Sequence, residues 1–296
     1  MNYAQTMFNL TIPIAIRYMF LSALGFALMA ACVKAVSGYG IPVLEIVAAR
    51  AIVSLLLSYV DVKRKRISVW GHNKLLLMAR VTVGALALIC VYFAVTTLPL
   101  AEAAILQYTY PAFTAVLALL FLKERVQRAT MLCIALSLLG LTVMVKPDLL
   151  TGTPSDLDLP LLSVMAALMG AFGSAVAYVL VRKLSQNEDS SVIIFYFPLI
   201  ALPTAVLLLG DDFVMPGFEA LGLLILVGVF TQVGQVGLTK AMAVEKAGKA
   251  TAYSYVQVIF AAILGLIFFN EMPTVWTLLG GSLIMTGALI NALWKR

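Results

Sequence analysis

Long apolar runs follow one another along almost the whole chain, and the stretches between them are too short to fold independently. Reading for runs separated by polar or Pro/Gly punctuation gives ten segments, at 14–36, 41–60, 75–97, 101–122, 129–146, 159–182, 191–210, 217–241, 249–269 and 274–293. A helix that crosses the hydrocarbon core of a bilayer needs roughly 20 mostly apolar residues. Within lipid, every backbone N–H and C=O must be satisfied by the chain itself, which a helix does segment by segment. The expectation is an all-α, polytopic integral membrane protein of ten transmembrane helices. The longest connections, Asp61 to Lys74 and Pro147 to Asp158, leave no room for a separate soluble domain.

Composition narrows the function. Hydrophobic residues make up 62% of the 296 and charged residues 11%, against about 45–50% and about 25% in ordinary soluble domains. The one histidine, His72, lies in a polar loop beside basic residues, and Cys32, Cys90 and Cys133 sit separately inside apolar runs. That leaves no ligand cluster for zinc, haem or an iron–sulfur centre, and no nucleophile–base pair. No metal, no cofactor and no enzymatic activity are expected. The N-terminal stretch lacks the basic start of a signal peptide, so the first run is expected to be a retained helix.

The net charge of +6 finds its explanation in topology rather than in nucleic acid. Alternate connections and both termini hold Arg17, Lys63 to Arg66, Lys74, Arg80, Lys123, Arg125, Arg128, Arg182, Lys183, Lys240, Lys246, Lys249, Lys295 and Arg296. The intervening connections hold Asp148, Asp156, Asp158, Asp211, Asp212, Glu219 and Glu271. By the positive-inside rule the basic set is cytoplasmic, so both termini are expected there, in a cell (inner or plasma) membrane. An odd number of spans would break this alternation.

The chain also resembles itself. A shift of 147 positions aligns Ala103–Gly140 with Ala250–Gly287 without a gap, matching Tyr108 with Tyr255, Phe113 with Phe260, Phe121 with Phe268, Glu124 with Glu271, Thr130 with Thr277 and Gly140 with Gly287. The shift spans five helices, an odd number, so the second copy must enter the membrane from the opposite side. The loops agree, since Lys123-Glu124-Arg125 ends the fourth run and Asn270-Glu271-Met272 the ninth. Two inverted five-helix repeats, 14–146 and 159–294, are therefore expected. Such pairs are the architecture of secondary transporters, whose substrates bind between the halves.

The stretch "AEAAILQYTYPAFTAVLALLFLKER", its second copy "GKATAYSYVQVIFAAILGLIFFNE" and the second run "PVLEIVAARAIVSLLLS" resemble the EamA-type ten-helix transporters of the drug/metabolite transporter superfamily. The second copy departs from the first at Val258, which stands where Pro111 does. The resemblance implies a central cavity formed by the first, third, fourth, sixth, eighth and ninth helices. It also implies a small-molecule substrate such as an amino acid or drug for export, or a nucleotide sugar or phosphorylated metabolite for exchange.

Polar groups inside spans are costly and are functional candidates by default. Gln107, Tyr110 and Thr114 share one face of the fourth run, and their repeat partners Ser254, Gln257 and Ala261 carry a polar face into the ninth. These residues either line a pocket or join helices by hydrogen bonds. Gln232, Gln235 and Thr239 share a face of the eighth run with glycines at Gly228, Gly234 and Gly237. Tyr92, the counterpart of Thr239, and Tyr178 are further candidates for substrate binding, while Tyr108 and Tyr255 are gates or packing. Glu45 and Arg50, five apart in the second run, form a structural ion pair or couple protons to transport. Lys34 and Arg80 are expected to snorkel to opposite interfaces, and Glu124 and Glu271 to mark helix ends.

A cavity rich in Tyr, Gln and Ser suits a neutral, zwitterionic or amphipathic organic solute, amino acid-like, carried by alternating access, with export as one direction. An antiporter for anionic, nucleotide- or phosphate-bearing metabolites is the alternative, and would draw on Lys34, Arg50 or Arg80. The expected partners are substrate and membrane lipid, with no nucleic acid, in a monomer or homodimer. Transport is proton-coupled if Glu45 titrates.

Overall fold

In lipid the apolar runs have one economical conformation, and the chain adopts it. The computed structural model describes residues 14–99, 103, 106–123, 127–145, 160–272 and 274–294. Glu124, Arg125, Asp148, Asp156, Asp158, Lys295 and Arg296, used above to orient the chain, lie outside them. The helices are α1 (Ile14–Ser37), α2 (Val43–Lys65), α3 (Lys74–Thr97), α4 (Tyr110–Phe121), α5 (Arg128–Val145) and α6 (Leu161–Leu184). They continue as α7 (Ser190–Leu209), α8 (Phe218–Val244), α9 (Ala247–Ala252), α10 (Val256–Phe269) and α11 (Val275–Leu293). The ninth span is α9 and α10 joined through a 3-10 turn, Tyr253–Tyr255. Among the described residues, 7 helical segments are long and apolar enough to cross a membrane, and the shorter apolar helices Tyr110–Phe121, Arg128–Gly140 and Val275–Gly287 bring the spans to ten. The surface matches that reading. Leu207 (82% exposed), Leu120, Phe121, Leu139 and Ile267 face outward, while Ser22, Ser54, Ser58, Thr231 and Thr239 are buried. In water such an exposed apolar area would aggregate; here it is the lipid-facing wall.

The ends of the helices follow local chemistry. α2 runs past residue 60, where the apolar run stops, to Lys65, because Asp61 and Lys65 form an i,i+4 pair at 3.4 Å and good helix formers continue the spiral. Arg66 then closes it in the left-handed region at φ 55°. Asn73, Asp189 and Thr274 cap α3, α7 and α11 by accepting backbone N–H groups at 3.2, 2.8 and 3.1 Å.

The fourth and ninth spans are both interrupted, the fourth where the sequence has Pro111 and the ninth where it has no proline. At the first break Pro111 sits in the opening turn of α4, where its missing N–H is harmless. The second break has Val258 instead of proline, yet it recurs at the equivalent place. What the two share is hydroxyl chemistry. Thr109 donates to the carbonyl of Leu106 at 2.9 Å, and Ser254 donates to that of Thr251. Side chains bonding back to the carbonyl one turn earlier compete with the helix ladder and bend it.

Packing repeats on the same register. α1 lies against α8 and α3 against α6; α1 against α10 and α6 against α4; α2 against α8 and α7 against α3; α2 meets α7 and α5 meets α11. Moving every span on by five, counting round from the tenth to the first, turns each contact into another of the set or into itself. The small residues at these crossings show it in detail. A Cβ added at Gly140 would strike the carbonyl oxygen of Gly280, and one added at Gly287 would lie 3.1 Å from Cys133 Cα and O. Gly140 and Gly287, like Cys133 and Gly280, are 147 positions apart. Close backbone approach through small residues is how helices associate where lipid removes the hydrophobic drive.

Candidate binding cavity

The broken spans meet α1, α2, α3, α6, α7 and α8 around a cavity of about 110 Å³. Arg80, Gly84, Ala87 and Val91 of α3 line it, at a spacing that keeps them on one helix face. Phe26 and Met29 come from α1, Arg50 from α2, Ser174 and Tyr178 from α6, Phe197 from α7 and Gln235 from α8. Gln107, Tyr108, Tyr110 and Gln257 are contributed by the fourth and ninth spans. The six helices implied by the family resemblance all take part, and α2 and α7 join them.

Among the candidates read from sequence, Gln107, Tyr110, Tyr178, Gln235 and Gln257 line the cavity. Tyr92 and Ser254 stand one layer behind: the Tyr92 hydroxyl reaches Met29 Sδ at 3.3 Å, and Ser254 is hydrogen-bonded to the Tyr110 hydroxyl. Thr114 and Gln232 are elsewhere. Thr114 is fully buried and donates to the Tyr110 carbonyl at 2.8 Å. Gln232 exchanges hydrogen bonds with Ser58 of α2, at 3.0 Å from its amide and 3.3 Å to its carbonyl. Residues three apart on a helix diverge by about 60°, enough to send Gln235 into the cavity and Gln232 away. Tyrosines pack the wall in series, Tyr255–Tyr108 at 5.9 Å, Tyr108–Tyr110 at 5.3 Å and Tyr110–Tyr178 edge-on at 5.0 Å between centroids.

The electrostatics correct the sequence reading in two places. Arg80 does not snorkel. It is 3% exposed, because the small face of α3 turns it inward, where Nη2 donates to Gln235 Oε1 at 3.3 Å. Nor do Glu45 and Arg50 form an ion pair. Glu45 accepts the backbone N–H of Val214 at 3.0 Å, holding the connection between α7 and α8, and Arg50, also 3% exposed, turns into the cavity. Five residues along a helix place two side chains well apart in azimuth. The two guanidiniums share an aromatic ring instead: Phe197 lies 5.2 Å from Arg50 Cζ and 4.9 Å from Arg80 Cζ, and Tyr92 lies 5.8 Å from Arg50 Cζ. Arg50 Nη1, Arg80 Nε and Nη1, and Gln107 Oε1 are buried without a hydrogen-bond partner. A signal for Arg80 was present in the sequence, since Gly84, Ala87 and Val91 follow it on one face; Ser174, Phe197 and Met29 had none.

Lys34 is likewise not a free interfacial cation. It pairs with Glu271 and donates to the carbonyl of Leu98 at 3.0 Å, joining the ends of α1, α3 and the ninth span. At the opposite end Glu188 accepts the backbone N–H groups of His72 and Asn73 and faces the His72 ring. Burial pushes the Glu188 carboxyl upward, but the two backbone donors and His72 outweigh it and leave the pKa below its usual 4.5.

The EamA-like transporter family matches residues 13–146 and again 161–293, and the chain belongs to that family. It is a membrane transporter of the drug/metabolite transporter superfamily. It is 32% identical over 277 residues to the pseudopaline exporter CntI of Pseudomonas aeruginosa, covering 93% of this chain and 95% of that one. It is 30% identical to solute carrier family 35 member G1 of Mus musculus, over 94% of this chain and 78% of that one. A crystal structure at 17% identity aligns with a TM-score of 0.73 over 93% of this chain and 95% of the other, which speaks for the fold alone.

Proposed function

We propose that the chain is a secondary active exporter of a small organic solute, working by alternating access between two inverted five-helix repeats, with both termini in the cytoplasm of a plasma or inner-membrane setting. One observation carries this reading. Residues 147 apart meet across the cavity: Tyr108 touches Tyr255 at 5.9 Å, and Arg50 touches Phe197 at 5.2 Å. Side chains that contact their own repeat partners lie beside a pseudo-twofold axis, and the cavity sits on it. A site on such an axis is faced equally by both halves, so exchanging their conformations opens it to either side without moving it. Export is favoured by the similarity to the Pseudomonas exporter. Discontinuous helices at the cavity, in the fourth and ninth spans, are a further mark of transporter sites.

The test is chemical access. Replace the three native cysteines, introduce Ser174→Cys, and label in oriented vesicles with a membrane-impermeant thiol reagent. A two-sided carrier gives labelling from either face, with each protected when the opposite side is locked open. Labelling confined to one face under all conditions would reject alternating access.

A further inference from the structure

We infer that Arg50 and Arg80 form a carboxylate-binding clamp, and that the solute is an acid with two carboxylates and a nearby amino or hydroxyl donor. This rests on the transport cavity proposed above and names its substrate class.

Both side chains are 3% exposed, and among the described residues no aspartate or glutamate lines the cavity with them. A charged group inside a membrane protein is expensive and normally pairs with an opposite charge. These two are paired with rings. Phe197 and Tyr92 lie within cation–π reach of the guanidiniums, but a ring does not satisfy N–H groups as an acceptor would. Three of the guanidinium nitrogens, Arg50 Nη1 and Arg80 Nε and Nη1, have no acceptor, and Arg80 Nη2 meets only the neutral carbonyl of Gln235. In-plane donors held in a fixed fork are the geometry that a carboxylate fits bidentately.

The charge count sets the ligand's charge. Two guanidiniums without a counter-ion among the described lining residues are balanced by two negative groups. Gln107 adds the second requirement. Its amide nitrogen is committed to Ser174 Oγ at 3.1 Å, and its carbonyl oxygen is buried without a donor. A ligand N–H or O–H fills that place. Amino- and hydroxy-dicarboxylic acids satisfy all three groups. Neutral solutes leave both arginines unbalanced, and organic cations are repelled.

The experiment measures thermal stabilisation of the purified protein by L-malate, L-aspartate, succinate, inorganic phosphate, glycine and choline, with radiolabelled counterflow in proteoliposomes. L-malate and L-aspartate are expected to stabilise the protein and exchange, with succinate weaker because it lacks the donor. Arg80→Gln and Arg50→Gln are each expected to weaken malate binding about 10- to 100-fold, the loss of one charge-assisted pair. They should leave the empty protein no less stable, since an unpaired buried charge has been removed. Arg80→Lys, which keeps the charge without the fork, should bind nearly as poorly and serves if a glutamine variant fails to fold. Gln107→Leu should erase the preference for malate over succinate. Malate binding unchanged in the arginine variants overturns the clamp, as does stabilisation by phosphate alone or by no acid at all. Exchange of glycine or choline without any acid also overturns it, while leaving the transporter reading intact.

Discussion

A guanidinium close to a phenyl ring is partly solvated by that ring and still has N–H groups in need of an acceptor. This describes Arg50 and Arg80 better than either of the roles their sequence positions suggest. Glu45 illustrates the converse, an acid close by in sequence whose partner is a backbone N–H at Val214. Its carboxylate is spent on tethering a loop, so proton coupling through it is not expected. Glu45→Gln, which keeps an acceptor oxygen, should leave the pH profile of transport unchanged. Glu45→Ala should cost about 1 kcal/mol of stability for the lost hydrogen bond. Loss of pH dependence in the glutamine variant, read in the counterflow assay, would return Glu45 to the coupling role. Depth along the helix is legible for each of these residues, azimuth much less so. α3 is apolar on nearly every side, so only the small residues Gly84 and Ala87 mark the face on which Arg80 lies.

Helices were the most readable level. Apolar length defines the spans, and the predicted ends differ from the observed ones by a few residues except where charged formers extended α2. The breaks were harder. Pro111 announced the first, but the second depends on a serine hydroxyl whose choice between helix bending and an interhelical bond is settled only by its neighbours. Crossings between helices follow small residues, and this gives a graded expectation. Gly140→Leu and Gly287→Leu should each destabilise the protein by about 1–3 kcal/mol through overpacking, because each faces backbone across the contact between α5 and α11. Gly281→Leu, on the same helix as Gly287 but with nothing within 4 Å, should be neutral or mildly stabilising by helix propensity. Unfolding temperatures in detergent separate these outcomes; equal behaviour of all three would deny the close approach.

For the whole molecule, the repeat and the loop charges were legible before any coordinates, whereas the pairing of α1 with α8 and α3 with α6 was not. Periodicity marks apolar faces but does not say which faces meet. The finished arrangement places Lys34, Glu271 and the Leu98 carbonyl as a latch over one end. Lys34→Gln should favour the state open at that end. If the latch contributes about 1 kcal/mol, the equilibrium moves roughly fivefold, read as faster labelling of Ser174→Cys from that side. Unchanged labelling would make the pair a passive contact.

The cavity's charge belongs to one half only, since Arg50 stands opposite Phe197 and Arg80 opposite Val227, and a membrane voltage acts on such an imbalance. Moving one unit charge through 100 mV is worth about 2.3 kcal/mol. If the carrier alternates as proposed, a negative interior would favour the inward-facing form of an empty cavity holding two bare cations and oppose the outward-facing one. Once an acid has balanced them, almost nothing opposes the turn. The resting potential would then keep the unloaded carrier waiting on the side where its cargo is made, a one-way bias with no coupling ion.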